Sequence, residues 1–153
     1  MPNSADLIRT WFEEVWNKGR ESAIDEMCAK DAVGHGQTHD GTDIIGLESF
    51  KHFWRAFRAG FSDIHVTFHQ TIAECDLAML QWTIRMKHTG PFMGIPATGK
   101  TITAKGMSIQ RFKDGKIVEA WDTYDQLAIM VQLGAVSLEN LVPAPKPAEA
   151  RIA

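Results

Sequence analysis

Asp122 stands near the end of a segment, Arg111-Phe112-Lys113-Asp114-Gly115-Lys116-Ile117-Val118-Glu119-Ala120-Trp121-Asp122, that could carry proton-transfer chemistry. A carboxylate among apolar side chains resists ionisation, because leaving water disfavours its charge. That shift makes an aspartate a usable proton shuttle near neutral pH. The segment reads as a β-hairpin, and its register decides what faces the carboxylate. A three-residue loop, Lys113-Asp114-Gly115, suits a type I turn with Gly115 left-handed in a bulge. Phe112 then opposes Lys116, Gln110 opposes Val118, Ser108 opposes Ala120 and Gly106 opposes Asp122. One face carries Gly106, Ser108, Gln110, Val118, Ala120 and Asp122, the other Met107, Ile109, Ile117, Glu119 and Trp121. A two-residue Asp-Gly turn would instead pair Asp122 with Met107. The bulged turn is preferred because it gathers small and polar residues on one face, leaving space beside the carboxylate. Asp122 as a plain cap or ion-pair partner at the end of the last strand is the alternative.

The elements that must hold this hairpin are legible from spacing. Ser4 can cap a first helix with Asp6 in its first turn. Leu7, Ile8, Trp11, Phe12, Val15 and Trp16 follow on one face, and Asn17-Lys18-Gly19 closes the helix. Ser22 and Asp25 have capping-box spacing for a short second helix carrying Ile24, Met27 and Cys28. A short strand near Asp31–His35 and a loop over Gly36–Gly46 come next. A third helix then carries Leu47, Phe50, Phe53, Trp54 and Phe57 and stops around Gly60. From there the period changes to two. Ile64, Val66 and Phe68 alternate with polar residues, and after a Glu74-Cys75-Asp76 turn so do Ala78, Leu80, Trp82, Ile84 and Met86. A loop over Thr89–Gly99 leads to strands at Lys100–Phe112 and Lys116–Tyr124, then a helix about Gln126–Leu133 ending at Gly134. Helices first and meandering strands after predict one α+β domain over 1–136. The tail at 137–153, with Pro143, Pro145 and Pro147, is expected to be disordered.

Composition narrows the function. In 153 residues, 44% hydrophobic and 23% charged, a single domain can bury a substantial core. The net charge of −3 is scattered, with no basic stripe for a phosphate backbone, so no nucleic-acid partner is expected. No apolar run is long enough to span a bilayer, and the N-terminus does not resemble a signal peptide. Cys28 and Cys75 read as reduced thiols of a cytoplasmic protein. Five tryptophans, eight phenylalanines and seven methionines fit either a well-filled core or a cavity lined for an apolar ligand.

The hairpin segment, with Asp125 and Gln132-Leu133-Gly134, and the stretch Gly90-Pro91-Phe92-Met93-Gly94-Ile95-Pro96-Ala97-Thr98-Gly99-Lys100 together resemble the SnoaL-like polyketide cyclases, or ester cyclases, of the nuclear-transport-factor-like superfamily. The resemblance covers roughly residues 5–134. It implies a cone: a strongly curved, mostly antiparallel sheet whose concave face is closed by N-terminal helices over a deep pocket. It also implies a cofactor-free intramolecular aldol ring closure with one aspartate as general acid/base, and Asp122 matches that position. The cyclases carry a histidine on the neighbouring strand where this chain has Ser108. A serine can hydrogen-bond a carbonyl but cannot share a proton near neutral pH. His35, on the early strand, is the expected replacement, and His88 is a weaker one. The superfamily's limonene-type epoxide hydrolases use an Arg-x-Asp pair, and this chain has none.

The expected function is a cofactor-independent cyclase, isomerase or hydrolase acting on an apolar carbonyl compound, with Asp122, His35 and Ser108 as its catalytic set. Trp11, Phe53, Trp54, Trp82, His88, Gly106, Gln110 and Tyr124 are expected to line the pocket. No metal and no cofactor are expected, since abstraction of a proton next to two carbonyls starts from an already acidic C–H. Without a GxSxG, P-loop or GxGxxG motif, acyl-serine, nucleotide and dinucleotide chemistry have no support. A non-catalytic carrier or sensor of apolar small molecules is the alternative, and a dimerisation module a third. A homodimer is expected through the face carrying Met107, Ile109, Ile117 and Trp121, because no helix remains to cover it.

Overall fold

A computed structural model describes residues 2–141. Its order is α1 (Ser4–Trp11), a π-helical segment (Phe12–Asn17), α2 (Ser22–Met27), β1 (Cys28–His35), β2 (Ile44–Ile45), α3 (Leu47–Gly60), β3 (Phe61–Glu74), β4 (Leu77–His88), β5 (Thr101–Lys113), β6 (Lys116–Tyr124), α4 (Gln126–Gln132) and α5 (Leu138–Leu141). The six strands form one sheet in the order β2-β1-β6-β5-β4-β3. Neighbours are antiparallel except β1 and β6, which run parallel. Of the predicted tail, Leu138–Leu141 form one exposed helical turn. The three prolines lie outside the described residues.

Helix starts differ from the expected caps. Asn3 caps α1, its side chain accepting from the Asp6 amide at 2.9 Å. Ser4 is drawn inward instead and donates to the carbonyls of Cys75 and Leu77 in the β3–β4 turn. Glu21, not Ser22, precedes α2, and the Ser22 hydroxyl accepts from Arg20. Gly19 and Gly134 do close their helices left-handed, at φ +64° and +76°.

The apolar side of the first helical stretch, Ile8, Trp11, Phe12 and Val15, is buried against the sheet together with Leu47, Phe50 and Trp54 of α3. The helix is pinned there by polar contacts. Asn17 accepts from the Val66 amide at 2.6 Å and donates to its carbonyl, extending the β3 ladder sideways. Trp54 donates to the Val15 carbonyl, so its indole belongs to this packing rather than to a pocket wall. Both cysteines are unpaired, Cys28 buried and Cys75 exposed. No helix among the described residues is long and apolar enough to cross a membrane.

The β5–β6 hairpin corrects the expected register. Lys113 pairs with Lys116 around a two-residue Asp114-Gly115 turn, both residues at positive φ. The extra residue sits further along, at Val118, where the register shifts between Arg111 and Phe112. Ser108 therefore pairs directly with Asp122, Gln110 with Ala120 and Gly106 with Tyr124. The bulge restores the alternation that the tight turn alone would have inverted, so Asp122 still shares a face with Ser108 and Gln110. Its other consequence is that Ile117 turns inward and is buried, not on the outer face.

Candidate active site

Between the helices and the concave side of the sheet lies a cavity enclosing about 950 Å³ of empty space, its mouth included. Trp11, Phe53, Trp82, Gln110, Asp122 and Tyr124 line it, joined by Phe12, Trp16, Cys28, Gln37, Ile117 and other mainly apolar side chains. An adjoining cleft, lined by His39, His52, Phe92 and Met93, shares Ile44, Phe53 and Phe57 with it.

A single hydrogen-bonded chain organises the polar part. Trp82 Nε1 donates to Ser108 Oγ at 3.0 Å. With its oxygen so engaged, the Ser108 hydroxyl donates to Asp122 Oδ1. On the other side Gln37 Nε2 donates to Asp122 Oδ2 at 2.7 Å. The Gln37 carbonyl in turn accepts from the Tyr124 hydroxyl at 2.7 Å. Each carboxylate oxygen accepts one protein hydrogen bond and keeps a lone pair for a ligand. Asp122 as a residue is only half-buried because it borders the cavity, yet its carboxyl is desolvated. Burial raises its pKa above the ordinary carboxyl value, against the opposing hydrogen bonds from Ser108 and Gln37. Burial, then the neighbouring Asp122 charge, pushes the Tyr124 phenol up to about 12. The Cys28 thiol is likewise pushed by burial to about 11 and stays neutral.

Gln37 lies in the loop before β2, and no periodicity marks it. What admits it is glycine. A Cβ on Gly34 would stand 2.5 Å from Gln37 Oε1, and one on Gly36, at φ +76°, 2.0 Å from the Asp122 carbonyl. The motif His35-Gly36-Gln37 after Gly34 was the available signal.

Several expected site residues stand elsewhere. His35 is not beside Asp122. In the parallel β1–β6 pairing Gly34 aligns with Ala120 and His35 with Trp121. His35 therefore points to the outer face, where it stacks on Trp121 at 5.6 Å and bonds Asp43 and Glu119, each at 2.9 Å. Ser108 is fully buried and acts on Asp122 rather than on a ligand. His88 is also fully buried, anchoring Thr98 of the following loop through Nδ1, and does not line the cavity. Gly106 leaves no free space: a Cβ there would meet the Trp82 indole at 2.5 Å. His35 with His39, and His65 with His69, stand four apart, a spacing that pairs metal ligands on a helix, but here they occupy strands and a loop. Among the described residues no group of three or more His, Cys, Asp or Glu is placed to hold a metal ion.

A family model for SnoaL-like polyketide cyclase matches residues 6–133. The chain belongs to this family. It is 24% identical over 135 residues to aklanonic acid methyl ester cyclase DnrD of Streptomyces peucetius, spanning 88% of this chain and 92% of that protein. Among solved structures, a proposed SnoaL-like polyketide cyclase from Jannaschia sp. CCS1 superposes with TM-score 0.79 at 21% identity, covering 88% of this chain and 93% of that one. IdmH, a proposed polyketide cyclase from Streptomyces antibioticus, superposes with TM-score 0.75 at 28% identity, covering 87% and 99%. The SnoaL-like cone, with its curved sheet closed by N-terminal helices, is thus the fold of this chain.

Proposed function

We propose that this SnoaL-like chain is a cofactor-independent acid/base enzyme that rearranges or cyclises an apolar, carbonyl-containing small molecule, with Asp122 as its proton carrier. One observation carries the reading: a desolvated carboxyl, steadied on each oxygen by Ser108 and Gln37, borders an otherwise apolar cavity. In a ring closure, ionised Asp122 takes a proton from carbon beside a carbonyl. The resulting carbanion forms the new carbon–carbon bond to a second carbonyl carbon, whose oxygen takes up the electron pair. Asp122 then returns its proton to that oxygen, and the carboxylate is restored. A carrier of apolar molecules would have no use for a carboxyl kept out of water, which costs stability. The unpaired cysteines support a reducing, cytoplasmic setting.

The test is Asp122→Asn, assayed on a panel of aromatic β-keto esters that can close by aldol addition. Asparagine keeps the shape but cannot carry the proton, so turnover should fall by ~10² to 10⁴ while ligand affinity persists. Stability should hold or rise, since a desolvated carboxyl is replaced by a neutral amide. A variant that melts lower yet keeps its rate would make Asp122 a scaffold residue and end the proposal.

A further inference from the structure

We infer that Gln110 is a specificity-determining residue, selecting substrates that carry a second hydrogen-bonding oxygen at the end of the molecule remote from the reacting carbon. The inference rests on the reading of the cavity as the substrate site. Gln110 is 3% exposed and lines the cavity. Its side-chain carbonyl oxygen is buried with no hydrogen-bond partner among the described residues. Buried amides are nearly always satisfied, because one removed from water without a partner weighs against folding. Here the remaining surroundings offer little polarity: across β6 stands Ala120, across β4 Ala78, and Ile117 and Cys28 lie at the same end. Of the other polar side chains bordering the cavity, Asp122 is committed to Ser108 and Gln37, and Tyr124 to the Gln37 backbone. The Gln37 amide donates to Asp122, while its oxygen, over Gly34, is likewise without a partner among the described residues.

Position gives the inference its geometry. Ser108, which pairs with Asp122, and Gln110 lie on the same face of β5, two residues apart. That is a separation of roughly 7 Å along the strand, towards the hairpin and away from the loop that carries Gln37. A planar, largely apolar molecule with its reacting carbon at Asp122 would lay its far end against the Gln110 amide. An amide both donates and accepts, so a hydroxyl, phenol or carbonyl there would be satisfied, whereas a methyl group would leave the amide unpaired.

The experiment is calorimetric titration of the full chain with 2,6-dihydroxynaphthalene and with 6-methyl-2-naphthol, a pair matched in shape and differing in one terminal hydroxyl. The wild type should prefer the diol by about tenfold or more, and in Gln110→Met the preference should shrink to within about threefold. Gln110→Met should also melt higher than the wild type, because the unpartnered amide is gone. Gln110→Leu, with folding checked by circular dichroism, serves if the methionine variant is not folded. An unchanged preference in the variant, a lowered melting temperature, or binding of neither probe at millimolar concentration would each overturn the assignment. Asp122→Asn should retain the diol preference, so loss of turnover there and loss of preference at Gln110 fail independently.

Discussion

At the scale of single residues, the behaviour of Asp122 follows from the groups on either side of it. Its pKa is raised in the folded chain, so folded protein holds a proton that unfolded chain has already released. Stability is full below the ordinary carboxyl pKa, falls as pH rises from there, and levels off above the raised value. Chemical denaturation across pH 3 to 8 should show this slope in the wild type and lose it in Asp122→Asn. Gln37 opposes the shift by donating to the carboxylate. Gln37→Leu should therefore move the acidic limb of the kcat profile to higher pH as well as lower kcat. His35 has a dependence of the same sign, set in a higher pH range. Glu119 and then Asp43 raise its pKa, so its contribution is full below the ordinary imidazole value and disappears as pH rises through the raised one. His35→Gln should lower the melting temperature at pH 6 and matter less at pH 9, with salt weakening the effect. The face shared by Asp122, Ser108 and Gln110 was readable because strand alternation is strict. Gln37 was not, because a loop residue's direction is set by the backbone around it, here by Gly34 and Gly36.

At the scale of elements, the hairpin shows why a right face can come from a wrong register. Alternation fixes only parity, and one extra residue restores parity wherever it is inserted. Placing the bulge at Gly115 or at Val118 puts Asp122 inward in both cases, but only the second turns Ile117 inward and sets Ser108 opposite Asp122. The distinction is testable. Gly115→Ala meets no atom within 4 Å, so its cost should be backbone strain alone, about 1 kcal/mol, with activity retained. Deleting Val118 removes only the unpaired residue and leaves Phe112 opposite Ile117 and Ser108 opposite Asp122, so turnover should persist. With a bulge at Gly115, the same deletion would turn Asp122 outward and abolish turnover. Helix boundaries were legible to within a residue or two. The caps were less so, because spacing cannot reveal that the Ser4 hydroxyl is needed by the β3–β4 turn.

At the scale of the molecule, no second layer among the described residues covers the outer face of the sheet. Trp121 pairs with Ile109, Ile109 with Met79 and Met79 with Ile72, an apolar row across four strands. Ile72, Met107 and Ile109 are 60%, 51% and 41% exposed. We propose that a second copy covers this face, through Met107, Ile109 and Trp121 but without the inward-turned Ile117. Light scattering at micromolar concentration should give twice the chain mass, and Ile109→Lys should halve it. A monomeric wild type would refute the proposal.

The parallel pairing of β1 with β6 has a consequence in time. A polypeptide is made from its N-terminus, so β1 and Gln37 leave the ribosome long before β6 does. Gln37 and Asp122 are separated by 85 positions, and closing so long a loop gives no return until the last strand docks. Until that moment Asp122 is wet and ordinarily acidic. β6 must therefore be made and docked before the proton carrier exists, and a nascent or truncated product lacking β6 should fold no active intermediate, however much of the β3–β4–β5 meander it has already formed.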